Sequence, residues 1–233
     1  MRRFLPTLVL LGLPLGAPAD TSLTPHKAEY DVKISVLGGK LVTELALGNN
    51  GYTATHQVRP TGMARMFARG HIRESSTFVP VDGGIRPQKY RSDDKLTSDK
   101  TQADIDFDWE AGEARGVVND EAVVSAMDAM AFDRVSIQYE LMHDLANDGP
   151  ASQYVLFEVD QLKTINVREI GQRRVKVPAG EFDAIGVEHQ SEGSKRVTTM
   201  WCVAELGYLP VIVEQRRKGK LKMRAVLADY STD

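Results

Sequence analysis

Residues 30–36 read Tyr-Asp-Val-Lys-Ile-Ser-Val, so that Tyr30, Val32, Ile34 and Val36 alternate with Asp31, Lys33 and Ser35. A period of two puts each set on its own side of an extended chain, which predicts a strand with one dry and one wet face. Gly38-Gly39 is expected to turn the chain, residues 41–47 to run back, and Asn49-Asn50-Gly51 to turn it again with residues that tolerate positive φ. In residues 52–59, Tyr52, Ala54, His56 and Val58 alternate with Thr53, Thr55, Gln57 and Arg59. These three segments form an antiparallel meander.

The pattern continues. Strands are expected at 70–79, 89–93, 101–109, 114–119, 153–160, 162–170, 172–177, 182–190, 196–203, 209–217 and 220–230. Turn residues separate most of them: Glu110-Ala-Gly112, Pro178-Ala-Gly180, Glu192-Gly193 and Lys218-Gly219. Residues 133–146 break the period. There Val135, Gln138, Leu141, Met142 and Leu145 fit a helix that Asp133 caps and Asn147-Asp-Gly-Pro150 stops. A shorter helical turn is expected within 121–131. The fold expectation is mainly β, a strongly curved antiparallel sheet or closed barrel of about 10–13 strands with one inserted helix, because a flat open sheet of that size exposes its edges.

The 233 residues are 42% apolar and 26% charged, with one cysteine and a net charge of −3. A lone cysteine makes no internal bridge, and the charge balance does not favour a nucleic-acid partner. Residues 1–19 resemble a secretory signal peptide: Arg2 and Arg3, an apolar run broken by prolines, and Ala17-Pro18-Ala19 for the peptidase. The run is shorter than the ~20 apolar residues of a membrane span. The expectation is cleavage before Asp20, a single domain over 20–233 in the periplasm with no transmembrane span, and no packing before about residue 25.

Chemical signatures are sparse. His26, His56, His71, His143 and His189 show no metal-ligand spacing. Asp104, Asp106 and Asp108 open like a calcium loop, but Trp109 and Arg115 occupy the positions that need Gly and Glu, so they are expected on a wet strand face. Cys202, inside Thr198-Thr-Met-Trp-Cys-Val203, is expected to be a buried thiol. No cofactor motif or G-x-S-x-G elbow occurs. The run Arg216-Arg-Lys-Gly-Lys220 with Lys222 and Arg224 fits a cationic hairpin tip, or a site for anionic head groups.

The order of these features resembles the bacterial domain of unknown function family 3108. The residues that carry the likeness are Gly84-Ile-Arg-Pro87 with Tyr90, Phe107-Asp-Trp109, Val175-Lys-Val-Pro-Ala-Gly-Glu-Phe182, Trp201 and Leu206-Gly-Tyr-Leu-Pro-Val211. The resemblance implies an exported β-rich protein and carries over no functional residue.

Three readings of function follow. A binding module would hold an apolar or amphiphilic, lipid-like envelope molecule on a concave face lined by Tyr52, His56, Phe107, Trp109 and Trp201, with Met142 adapting from the helix. An enzyme would need groups such as His56, Glu74 and His71 to converge. A structural or interaction protein of the envelope, with a protein partner, would need neither.

Overall fold

The computed structural model describes residues 23–232 except 36, 68, 98–99 and 159; the segment expected to be a signal peptide lies outside the described residues. The chain opens with β1 (His26–Ile34), β2 (Leu37–Gly48) and β3 (Gly51–Pro60), then a short helix α1 (Ala64–Phe67). β4 (Ile72–Val81), β5 (Gly84–Asp94), β6 (Gln102–Asp108), β7 (Glu113–Val118) and β8 (Glu121–Ala126) complete the first half. A two-residue strand β9 (Ala131–Phe132) leads through helix α2 (Ser136–Ala146) into β10 (Gln153–Glu158). The rest is β11 (Gln161–Val177), β12 (Gly180–Ser191), β13 (Arg196–Val203), a 3-10 turn at Ala204–Leu206, β14 (Leu209–Arg217) and β15 (Lys220–Ser231).

All fifteen strands form one sheet in the order β8-β7-β6-β5-β4-β3-β2-β1-β15-β14-β13-β12-β11-β10-β9. Neighbours pair antiparallel except β9 and β10, which run parallel and therefore need a crossover; α2 is that crossover. The hydrogen-bond ladder ends at β8 and β9 without joining them, so the structure is a curved sheet whose ladder stays open. Its two ends nevertheless meet through side chains. Phe107 of β6 packs edge-on against Phe157 of β10, Ser76 of β4 donates to Asp133 at 2.6 Å, and Arg134 lies 3.4 Å from Glu74. The enclosed face carries Tyr30, Leu45, Tyr52, Phe78, Ile85 and Ile105, with Tyr139 of α2 completely buried among them.

Several expectations need correction. Among the described residues the strand count is fifteen, above the range inferred from sequence. Residues 121–126 are strand β8, because Asn119 and Asp120 both adopt positive φ, the geometry of a tight two-residue hairpin turn. The segments 162–170 and 172–177 are one strand, β11, bent by a bulge between Glu169 and Gly171. The first hairpin turns at Ser35, φ 57°, and Gly38-Gly39 lie within β2, where a Cβ on Gly39 would come 3.1 Å from the carbonyl of Arg59. Packing begins earlier than expected, since Leu23 joins the core. The helix is capped as expected: Asp133 Oδ1 accepts from the N–H groups of Val135 and Ser136 at 2.8 and 2.9 Å.

Candidate functional site

Of the residues singled out from sequence, Tyr52, His56, Phe107 and Trp109 share the enclosed face. Tyr52 stacks on Phe78 at 5.7 Å, which touches Tyr139 in turn. Phe107 stacks on Trp109 at 6.2 Å, and the indole N–H donates to the carbonyl of Pro87. Met142 is buried on α2 with Gln138 against its sulfur. His56 lies directly across from Glu74, burial pushes its pKa down to about 4, and its Nε2 has no hydrogen-bond partner among the described residues. Glu74 accepts from Tyr90 at 2.7 Å. His71 stands apart, 3.4 Å from Asp93 at the sheet's margin.

Trp201 lies on the other face. It pairs with Ile212, which pairs with Val226, which pairs with exposed Asp31, and cross-strand partners share a face. There the ring is packed against Gly186, where a Cβ would come 2.9 Å from it, and the guanidinium of Arg173 sits 3.8 Å above its centroid.

Cys202 is buried, and burial pushes its thiol up to about 12, which makes it inert. Asp104 and Asp106 pair with Lys89, and Asp108 with Arg115, on the wet face.

None of the six sequence candidates lines an open depression of about 560 Å³ between α2, β10 and the turns beside them. Part of the lining is polar. Glu140 and Asp144 stand one turn apart on α2. Glu140 Oε2 accepts from the N–H of Ile85 at 2.8 Å, and Gly84 (φ 155°) leaves room for that carboxylate, since a Cβ there would fall 2.5 Å from it. Burial raises the Glu140 pKa to about 7, with Asp144 adding to the rise and the Ile85 N–H opposing it. Asp144 accepts from the Tyr154 hydroxyl at 2.5 Å, and that hydroxyl accepts from the N–H of Ala151. Apolar Ala129, Met130, Phe132, Ala151 and Val155 complete the lining together with polar Gln153 and Thr164, and Phe132 meets the Tyr154 ring edge to face at 6.0 Å. Such a lining offers hydrogen-bond acceptors and apolar surface within one depression. Glu140 can also exchange a proton near neutral pH. Among the described residues no nucleophile is paired with a base, and no group of three or more His, Cys, Asp or Glu is arranged to hold a metal ion.

The family pattern of the protein of unknown function DUF3108 matches residues 27–226. The chain belongs to the DUF3108 family. A crystal structure of a β-barrel-like DUF1849 protein from Brucella abortus superposes on this DUF3108 chain with TM-score 0.59 at 15% identity, covering 91% of this chain and 98% of that one. A Bacteroides fragilis protein with a YmcC-like fold gives TM-score 0.37 at 12% identity, covering 90% and 97%. No curated protein matches. The DUF1849 likeness supports a barrel-like architecture for the DUF3108 chain and says nothing of a ligand.

Proposed function

We propose that this chain is an exported, non-catalytic binding protein of the bacterial envelope that takes a lipid-like amphiphile in the cleft between α2 and β10. The observation that carries the reading is the mixed lining, in which the acceptors Glu140, Asp144 and Tyr154 share one depression with apolar Met130, Phe132 and Val155. A cleft of about 560 Å³ falls in the size range of small-molecule sites. The acceptors in the lining favour a head group with N–H or O–H donors over a bare phosphate. The signal-like residues 1–19 support export.

A displacement titration with a fluorescent amphiphile tests the cleft. Saturable binding lost in Ala151→Trp, with circular dichroism unchanged, is the expected result. Absence of binding to every amphiphile class at tens of micromolar would overturn it, and would favour the structural reading that the densely packed Tyr139, Phe78 and Phe157 also support. N-terminal analysis of the native protein tests export: a first residue of Asp20 is expected, and an intact Met1 would refute cleavage.

A further inference from the structure

Every second turn of an antiparallel meander falls at the same end of the sheet, so the connections β1–β2, β3–β4, β12–β13 and β14–β15 share one rim. Backbone hydrogen bonds tie them side by side. Ser35 N–H donates to Lys222 O at 3.3 Å, Thr61 N–H to Gly38 O at 3.0 Å, and Lys218 N–H to Lys195 O at 3.1 Å.

The exposed acid Glu192 aside, two kinds of side chain dominate these four connections. Met63 and Met66, on or beside α1, are 79% and 74% exposed, and Ile34, Leu37 and Leu221 are 49%, 39% and 44% exposed. Ile34 pairs with Leu37 and Met223 on the face that deeper in the sheet carries Tyr30 and Val32. The apolar lip is therefore the core face continued beyond anything that covers it. Around it stand Lys33, Lys195, Arg217, Lys218, Lys220 and Lys222, all exposed and without an ion-pair partner among the described residues. Arg216 and Arg224, by contrast, share Glu214.

A chain of net charge −3 has gathered unpaired cations at one end, interleaved with flexible apolar side chains. Cations alone fit any polyanion. Exposed methionine, isoleucine and leucine among them fit a surface that is anionic outside and hydrocarbon beneath, with the lysine stems lying along the boundary. We propose that this rim docks on anionic phospholipid bilayers, Met63, Met66, Ile34 and Leu37 entering the headgroup boundary while the lysines meet phosphates. The proposal is independent of the ligand cleft. The turns that carry Gly83, Gly149 and Ala151 lie at the opposite end of the sheet, so a docked molecule would hold its cleft away from the membrane.

Flotation with vesicles of phosphatidylethanolamine and phosphatidylglycerol, against pure phosphatidylcholine vesicles, tests the idea. The protein is expected to float only with the anionic vesicles. Lys218→Glu/Lys220→Glu should weaken that binding at least about tenfold, and so should Met63→Ser/Met66→Ser, while Arg174→Glu, outside the rim, leaves it unchanged. Circular dichroism and thermal unfolding check that each variant is folded. No flotation at low salt would overturn the proposal. So would binding that the methionine variant leaves intact and that heparin reproduces, since that describes a general polyanion site.

Discussion

Phe107 and Phe157 meet edge to face, centroids 6.3 Å apart at 79°, although β6 and β10 stand near opposite ends of a fifteen-stranded ladder. Among the described residues no backbone hydrogen bond closes the ladder between β8 and β9, so side chains such as these hold the curl. The rings are 4% and 0% exposed.

Each of Phe107→Ala and Phe157→Ala should therefore destabilise the fold by about 3–5 kcal/mol through the cavity left behind. The double variant should fall short of the sum by about 0.5–1.5 kcal/mol, the size of an aromatic pair's own coupling. Asp106→Ala, on the wet face, should stay within about 0.5 kcal/mol. Urea unfolding measures all four, and strict additivity would mean that the rings do not join the two ends.

Gly84 is required by Glu140. Alanine there would adopt a φ of 155° and place its Cβ against both carboxylate oxygens. Gly84→Ala should cost roughly 2–4 kcal/mol from backbone strain and loss of the Ile85–Glu140 hydrogen bond. Adding Glu140→Ala removes the clash, so the double variant should lose less than the two single losses combined, as thermal unfolding would reveal.

The Glu140 carboxyl, raised to about 7 from an ordinary 4.5, makes stability depend on pH. Between these values the folded chain holds a proton that the unfolded chain has released, so stability falls as pH rises through that window. Glu140→Gln keeps an acceptor for the Ile85 N–H and does not titrate. Its melting temperature relative to the native protein should rise from pH 4.5 to pH 7.5, with Asp133, which titrates in both proteins, cancelling in the difference. A constant difference across that range would place the Glu140 pKa near its ordinary value.

Asp133 joins the helix crossover to the opposite part of the sheet. Its Oδ1 caps α2 and its Oδ2 accepts from Ser76 Oγ at 2.6 Å, all in a buried setting. Asp133→Ala should cost about 2–4 kcal/mol, more than an exposed cap, because it strands a buried hydroxyl as well as two N–H groups. Ser76→Ala should cost less, since the cap survives. Denaturant midpoints for the pair decide it.

Strand periodicity, the wet aspartate face of β6, the buried Cys202 and the capped helix were legible in the sequence, because each depends on residues close together in the chain. Asp104, Asp106 and Asp108 alternate with Ile105 and Phe107, and two-residue alternation needs no knowledge of partners. Trp201 was not legible in this way: Met200, Trp201, Cys202 and Val203 are apolar on both faces, so periodicity alone does not orient them. Its direction follows from the ladder, through Ile212 and Val226 to Asp31, and a bulge beside Trp201 moves the register by one residue. The merger of two expected strands into β11 depends likewise on the Glu169/Gly171 bulge. The cationic tip at 216–224 was legible in the run of basic residues, but the cleft and the apolar lip beside that tip depended on tertiary structure. Glu140 reaches Ile85 across 55 positions, and Lys218 meets Lys195 only because two hairpins lie side by side. Local spacing sets which face a residue prefers, while sheet order and curvature decide which distant residues share it.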